Sequence, residues 1–465
     1  MRQPLSPLAA LLLLTAGARA QDNVLVIVAD DLGVDKLACY GVGANVPPTP
    51  NIDALAAEGV LFRNAWSNPV CSPTRATIQT GRYSFRTGVG TAIPFGPPLA
   101  QEELTLPEAL DQGSSGYSHA AFGKWHLGGS TLTAEGALDP NLQGYGHYAG
   151  LLAGAFVTPF TYELWPETTN GATAIQTRYA TSENVDDALR WIDARRGPWF
   201  CWLAFNAPHT PFHAPPAELH GQDLPDTDPC LDPVPFYDAM VEAMDAEIGR
   251  LLTSLDPAVR ARTTVIFVAD NGTTGDVTLP PFPADHAKST LYEGGVHVPL
   301  VVSGAGIVAP GREVAALVNT TDLFATVLEL CGVDPGGAAP DSVSLVPHLL
   351  NPFQAGQRDW IFAEIFQGSG GGGVSGPALG GAAVPQPGPA ACLGAGVGIT
   401  QGKAIRGPVF KLIRFDGGDE EFYNLVLDPF EQNDLLKLPG GPLSPIAKNR
   451  YEELAAALDA LLASG

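Results

Sequence analysis

Val24-Leu25-Val26-Ile27-Val28-Ala29-Asp30-Asp31 and Val265-Ile266-Phe267-Val268-Ala269-Asp270-Asn271 share one pattern, a short, largely β-branched run that ends in two side chains with oxygen donors. A run that is apolar at every position suits a strand buried on both faces, as in parallel sheets covered by helices. In open sheets of that kind, ligands bind in the crevice at the carboxyl ends of the strands. Set side by side and parallel, the two runs would bring three carboxylates and one amide oxygen together. Three anions in one place repel one another and drive their pKa values apart. A divalent cation resolves that repulsion, and donors that are all oxygen favour a hard ion, Ca²⁺ or Mg²⁺, over zinc. Asp30, Asp31, Asp270 and Asn271 are therefore candidate ligands of one ion. An Asp after a single strand is commonly just a turn residue or a cap, so it is the matched pair of ends that carries this reading.

The chain around these runs alternates strand and helix. Trp199 to Phe205 and Pro299-Leu300-Val301-Val302 read as further buried strands. Thr49-Pro50 pairs a good N-cap with a residue favoured at the first helical position, opening a helix through Leu55 and Glu58 that Gly59 closes. Ser182 stands where it can cap a helix with Val185, Leu189 and Ile192 on one face. Phe236, Met240, Met244, Ile248 and Leu252 mark a longer amphipathic helix, and Thr321 to Leu330 another, ended by Gly332. This order predicts an α/β fold with a large, mainly parallel sheet flanked by helices. After about residue 350 the pattern changes. Residues 368–402 are rich in Gly, Pro and Ala and read as a loop or insertion. Phe410-Lys411-Leu412-Ile413 reads as a strand, Asp416-Gly417-Gly418 as a turn, and Tyr451 to Leu462 as a final helix. The expected organisation is a large α/β domain over 21–350 and a smaller C-terminal α+β domain over 351–465.

Residues 1–20 read as a signal peptide: Arg2, a short apolar run from Leu8 to Thr15, and the small-x-small site Ala18-Arg19-Ala20. Gln21 rather than Cys follows, which argues against a bacterial lipid anchor, and no later stretch approaches the roughly 18 apolar residues of a membrane span. The expectation is an exported protein, periplasmic or secreted, without stable membrane insertion. The formal charge of the 465-residue chain is −24. Bulk charge of that sign argues against nucleic acid and against anionic membrane surfaces, so any positive charge needed for a ligand must be local. Six Cys occur without zinc-like spacing, and the sequence assigns no disulfide.

Asn68-Pro69-Val70-Cys71-Ser72-Pro73-Thr74-Arg75 is the second informative stretch. Ser72-Pro73 predicts a helix start and Gly81 its end, which puts Cys71 just before a helix N-terminus. Free N–H groups and the helix dipole favour an anion there. Arg75 can fold back from the first turns toward Cys71, and the pair suits a tetrahedral oxyanion such as sulfate or phosphate.

At these residues the sequence resembles the sulfatase family of the alkaline-phosphatase-like superfamily, whose Cys-x-Pro-x-Arg signature is met by Cys71, Pro73 and Arg75. The resemblance runs from Asn23 to about Leu330 and more weakly to Leu435. It takes in Asp30-Asp31-Leu32-Gly33, Gly123-Lys124-Trp125-His126-Leu127-Gly128, Ala207-Pro208-His209-Thr210-Pro211, Asp270-Asn271-Gly272 and Lys288-Ser289-Thr290-Leu291-Tyr292-Glu293-Gly294-Gly295.

That resemblance implies that a dedicated maturation enzyme oxidises Cys71 to formylglycine (3-oxoalanine). It implies a gem-diol at residue 71, one hydroxyl of which, held on the metal with Asp30, Asp31, Asp270 and Asn271, attacks the sulfur of a sulfate ester. The second hydroxyl then expels sulfate. Arg75 and Lys124 would hold the hydrate, His126 would accept a proton from its second hydroxyl, and His209 and Lys288 would act on the leaving oxygen. The 21–350 domain would be the catalytic one. Lysine is scarce, at seven in the whole chain, which gives Lys124 and Lys288 weight.

Two positions depart from the family pattern: Ser289 stands where Gly is common, and His297 where Arg is usual. His213 and His286 are further histidines close to the motifs, and Asn271-Gly272-Thr273 is formally a glycosylation sequon, which a metal ligand could not also serve. The expected function is hydrolysis of an aryl or carbohydrate sulfate ester. Two other readings are a formylglycine-dependent phosphonate monoester or phosphodiester hydrolase, and a catalytically silent, exported, metal-stabilised binding protein.

Overall fold

The computed structural model describes residues 22–128, 133–337, 339–367, 400–439 and 442–464. The expected signal peptide lies outside them, as does most of the Gly/Pro/Ala-rich stretch expected over 368–402. Fourteen strands are found among the described residues: β1 Asn23–Ala29, β2 Gly59–Trp66, β3 Ser118–Gly123, β4 His147–Gly150, β5 Trp165–Thr169, β6 Ala172–Gln176, β7 Trp199–Ala204, β8 Thr263–Ala269, β9 Leu300–Gly304, β10 Arg312–Asn319, β11 Ile361–Ile365, β12 Gly402–Arg406, β13 Phe410–Phe415 and β14 Glu420–Asn424. The first ten form one sheet in the order β10-β2-β9-β8-β1-β7-β3-β4-β5-β6, and the last four a second, antiparallel one in chain order.

β1 sits in the middle of the large sheet, parallel to β8 on one side and to β7 on the other, and β7 continues parallel to β3 and β3 to β4. Its alternate residues serve two different layers. Leu25, Ile27 and Ala29 pack with Val185 and Ile192 of the helix Ala180–Asp193 and with Phe236, Met240 and Met244 of the helix Pro233–Ser254. Val24, Val26 and Val28 face Ala76 and Ile78 of the helix Cys71–Thr80 and Phe324 and Val327 of the helix Asp322–Leu330. Full burial of each such aliphatic stabilises the fold by roughly 1.5–3 kcal/mol, and this is why the run is apolar at every position.

The large sheet is mainly parallel, as expected, with β9, which includes the expected Leu300–Val302 run, antiparallel to β8 and β2, and β5 antiparallel to β4 and β6. Two sequence expectations need correcting. Ser182 is not a cap: its helix starts at Ala180, and its hydroxyl donates to Glu247 at 2.8 Å, tying that helix to Pro233–Ser254. Cys71 is the first residue of its helix rather than the one before it, with extended Val70 as the N-cap. The expected stop is there, with Gly81 at φ 68°, where L side chains are disfavoured, and its N–H on Thr77 O. Cys39, Cys71, Cys201 and Cys331 are free thiols and Cys230 is disulfide-bonded. No helix among the described residues is long and apolar enough to cross a membrane.

The second sheet docks against the first through two apolar clusters. On one face Ile361, Ala363, Ala404 and Ile413 pack on Trp66, Val70 and Leu291. On the other, Phe362, Ile405, Leu412 and Phe422 pack on Leu454 and Leu458 of the helix Pro445–Leu462 and on Tyr83. β11 also buries Glu364 completely. Its Oε1 accepts the Phe85 N–H at 2.7 Å, while Oε2 has no hydrogen-bond partner among the described residues.

Burial pushes this carboxyl up from 4.5 to about 8. Across that window the folded chain keeps a proton that the unfolded chain has already lost. Stability is therefore greatest below the unfolded value and falls as pH rises toward the folded one, by up to about 1.4 kcal/mol per unit. Glu364→Gln cannot ionise and should remove this slope. Its melting temperature should gain on the wild type as pH rises from about 5 to about 8. A melting difference that stays constant over that range would show that Glu364 is already ionised in the fold.

Candidate active site

The register of β1 against β8 pairs Ala29 with Ala269, so Asp30 and Asp270 emerge at neighbouring strand ends. The Asp270 N–H donates to Ala29 O at 3.0 Å and the Asp31 N–H to Asp270 Oδ1 at 3.2 Å, which knits the two ends together. Asp30, Asp31, Asp270 and Asn271 are all buried. Asp31 takes a left-handed φ of 68°, and the Tyr237 hydroxyl donates to its carbonyl at 2.7 Å.

Three cations enter this cluster from three elements. Arg75, four residues after Cys71 and so about one helical turn on, sends Nε to Asp270 Oδ2 at 2.9 Å and Nη1 to the Lys124 carbonyl at 2.7 Å. Lys124, just past β3, is ion-paired with Asp30. Lys288 lies 2.6 Å from Asp31. The Cys71 thiol donates to Asp30 Oδ1 at 3.4 Å, and His209 Nε2 is 3.7 Å from Asp31 Oδ2. Ligating atoms of Asp30, Asp31, Cys71 and His209 all lie within 4.8 Å of one another. Asp270 is turned instead to Arg75 and the Asp31 amide. Nine of the ten residues expected at the site thus meet through direct contacts; the tenth, His126, joins through the backbone beside Lys124.

Charge here is set by a contest between burial and neighbours. Burial disfavours the Asp31 carboxylate, but Lys288, His209 and Lys124 outweigh it and hold the group well below the usual carboxylate range. Burial and the charge of Asp30 push Asp270 up to about 6. Burial pushes the Cys71 thiol up to about 12. Lys288 is held above its ordinary value because Asp31 outweighs the cost of burial.

His126 is buried and His209 half-buried, both are held neutral, and their partners fix their tautomers. His126 Nε2 is 2.7 Å from Ile93 O, which can only accept, so Nε2 carries the proton and Nδ1 keeps a buried lone pair with no partner among the described residues. Burial and Lys124 hold its pKa well below the ordinary histidine value. His209 Nδ1 donates to Thr210 O at 2.9 Å, leaving Nε2 toward Asp31; burial lowers its pKa to about 3.

The donor set fits a hard divalent cation. Asn271 Nδ2 is used by Asp31 and the Gly272 carbonyl, while Asn271 Oδ1 is buried without a hydrogen-bond partner. A buried orphan amide oxygen beside three carboxylates is the arrangement a Ca²⁺ or Mg²⁺ ion would satisfy. Asn271 is wholly buried, so its sequon is not accessible to a glycan.

The family departures have local reasons. Ser289 sits at φ 74°, a conformation that favours glycine, and its N–H donates to Pro69 O at 2.9 Å, joining the Lys288 loop to the Cys71 loop. Beside His297, Glu293 receives a guanidinium from the second sheet instead: Arg406 Nη1 reaches it at 2.9 Å, with Lys411 at 3.3 Å. His213 is occupied by protein on both nitrogens, by Pro211 O and the Tyr179 hydroxyl, and His286 stacks on Tyr292.

Three residues were missed by sequence reasoning. Buried tyrosine hydroxyls hold the carbonyls at the strand ends: Tyr237 on Asp31, Tyr148 on Gly123 at 3.0 Å, and Tyr162 on Asn206 and His209 at 2.7 Å each. Each sits near other aromatic or apolar residues and reads as core; nothing local in the sequence says where its hydroxyl points.

A mainly parallel sheet whose strand ends gather carboxylates, two lysines, an arginine and a cysteine at a helix start suits an enzyme that works on a tetrahedral oxyanion. The family model described as Sulfatase matches residues 22–333. The chain is 31% identical to N-acetylgalactosamine-6-sulfatase of Rattus norvegicus over 74% of this chain and 68% of that one. It is 30% identical to arylsulfatase A of Homo sapiens over 77% and 74%. The crystal structure of Ps i-CgsB superposes with a TM-score of 0.70 at 25% identity, covering 90% of this chain and 89% of that one. The chain belongs to the sulfatase family and is a sulfuric ester hydrolase, which removes the reading as a silent binding protein.

Tyr237→Phe deletes a single hydroxyl and leaves the ring in the core. Loss of that hydrogen bond should cost about 1 kcal/mol of stability. Turnover should fall further, by roughly tenfold or more, if Asp31 is a metal ligand, because supporting partners of such ligands carry effects of that size. Steady-state sulfate release and thermal melting on the same variant check this; unchanged turnover would show that the Asp31 turn holds its shape without Tyr237.

Proposed function

We propose that this chain is an exported sulfatase that releases sulfate from an aryl or carbohydrate sulfate ester, using formylglycine made from Cys71 by a maturation enzyme and one Ca²⁺ or Mg²⁺ ion. Asp30, Asp31, Asp270, Asn271 and residue 71 would hold the ion, which supplies Lewis-acid activation of the nucleophilic oxygen. Residues 21–350 form the catalytic domain in this reading and 351–465 a smaller supporting one, with residues 1–20 as the export signal.

The observation that carries the proposal is the state of Cys71. Cys71 opens the helix Cys71–Thr80 with its Sγ 3.4 Å from Asp30 Oδ1, among two lysines and an arginine, and burial pushes its thiol up, so the unmodified side chain is a poor nucleophile. The surroundings are built for an oxygen-bearing, anion-handling residue, which the aldehyde hydrate would be.

The other side chains then divide the work. Arg75 holds the Asp270 carboxylate and the Lys124 carbonyl together, and so fixes the distance between β8 and β3 ends. Lys124 and Lys288 provide positive charge for the sulfate oxygens. Lys288, an ammonium on the ester side, stabilises charge on the leaving oxygen. His126 Nδ1 is the lone pair available to accept a proton from residue 71.

Two measurements test this together. The tryptic peptide that contains position 71, from protein made with the maturation enzyme present, should carry an aldehyde, and Cys71→Ala should abolish sulfate release without loss of fold. A leaving-group series should separate the roles: Lys288→Ala should lose most on poorly acidic alcohols and least on an activated nitrophenol. An unmodified, fully active Cys71 would end the formylglycine mechanism. Faster turnover of a matched phosphodiester than of the sulfate ester would move the assignment to phosphodiester hydrolysis.

A further inference from the structure

On the reading of this site as a sulfatase, we propose that an apolar cavity next to it receives the leaving group, and that this group is an uncharged aromatic or polycyclic alcohol rather than a sugar bearing further anionic groups. Two loops make the case. Residues 90–98 are moored to the site at Ile93, whose N–H donates to Ser72 Oγ at 3.1 Å and whose carbonyl accepts from His126 at 2.7 Å. This loop presents Phe95 with 74% of its surface exposed.

The second loop, residues 151–164, follows β4. Leu152 O accepts the His126 N–H at 3.1 Å. Gly154 lies so close to the His126 ring that a Cβ there would come within 2.2 Å of Nε2. Farther along, Tyr162 bonds the carbonyls of Asn206 and His209, and its ring lies 4.4 Å from that of Phe156. The loop thus passes from one candidate catalytic histidine to the other. Along it Leu151, Ala153, Phe156, Val157 and Phe160, with Pro166, line a cavity of about 390 Å³, the size of a small-molecule site. Val157 is 65% exposed at its edge. Exposed apolar surface gathered next to a polar site is a binding feature more than a neutral one.

Charge selects the occupant. Residues 88–100 contain no charged side chain, and residues 151–164 contain only Glu163. The segment that leaves His209, residues 210–232, carries five acids and neither Lys nor Arg. The whole chain is at −24. A second sulfate or a uronate on the leaving group would find no cation in any of these three segments and would meet net repulsion. A flat apolar alcohol in this cavity would bury its surface against Phe156, Val157 and Phe160 and meet no such repulsion.

A series of 4-alkylphenyl sulfates from methyl to butyl tests this, because leaving-group acidity is nearly constant along it. The wild type should gain roughly two- to fourfold in kcat/KM per methylene, the upper figure corresponding to the ~0.8 kcal/mol of a fully buried CH₂. Val157→Asp, at an exposed position on the cavity's edge, should flatten that slope and lower the butyl ester more than the methyl one. A sugar disulfate should be a worse substrate than its monosulfate. A flat wild-type series, or a preference for the disulfate, overturns the inference; with 4-nitrophenyl sulfate still hydrolysed, that result leaves the sulfatase reading standing. Release of sulfate from none of these esters, 4-nitrophenyl sulfate included, overturns both.

Discussion

Asp30, Asp31 and Asp270 are buried side by side at the ends of two adjacent parallel strands, and their mutual repulsion has to be offset from elsewhere in the chain. Isolated carboxylates this far from water would cost many kcal/mol, or would take up protons instead. The fold answers with Arg75 from the helix after β2, Lys124 from the end of β3 and Lys288 from the loop before β9. Each cation belongs to a different element, so the cluster also pins those elements to one another. The partial protonation pressure on Asp270 and the orphan oxygen of Asn271 mark what the three cations leave unmet.

Holding such a cluster in register calls for rigid backbone just past the strands, where hydrogen-bonded pairing stops. Tyr148, Tyr162 and Tyr237 meet that need by donating to carbonyls at the end of β3 or just past β7 and β1. The second sheet acts at longer range. Its Arg406 and Lys411 converge on Glu293, five residues after Lys288, and its apolar face packs on Val70 and Leu291 next to the cysteine and lysine loops. The smaller sheet is thereby a structural support of the loops that carry Cys71 and Lys288 rather than an appendage. Glu293 and Glu431 share Lys411, so removal of that lysine would leave two buried carboxylates short of positive charge.

Much of this was legible from residues alone. The two strand phrases announced themselves because a strand buried on both faces must be apolar throughout, and their shared endings told where donors would collect. Gly81 and Pro50 marked helix ends through backbone geometry that few other residues offer. The antiparallel course of β9 was not legible: Leu300-Val301-Val302 is equally apolar whichever way the strand runs, and direction depends on the connection and not on composition. Ser182 misled because a serine near a helix start is a good cap, yet here Glu247 of another helix claims its hydroxyl. The tyrosine hydrogen bonds and the Arg406–Glu293 pair join residues far apart in sequence, and no local pattern encodes such partners. Ser289 was visible as a departure, but only its positive φ explains why glycine is the easier residue there.

The claim on which the rest turns is that this strand-end cluster is a divalent cation site. Anomalous diffraction from crystals of the mature protein grown with calcium tests it most directly. The account predicts one ion bonded to Asn271 Oδ1 and to carboxylate oxygens of Asp30, Asp31 and Asp270, at about 2.3–2.6 Å. Saturating calcium or magnesium that leaves these four side chains without a bound ion would contradict it.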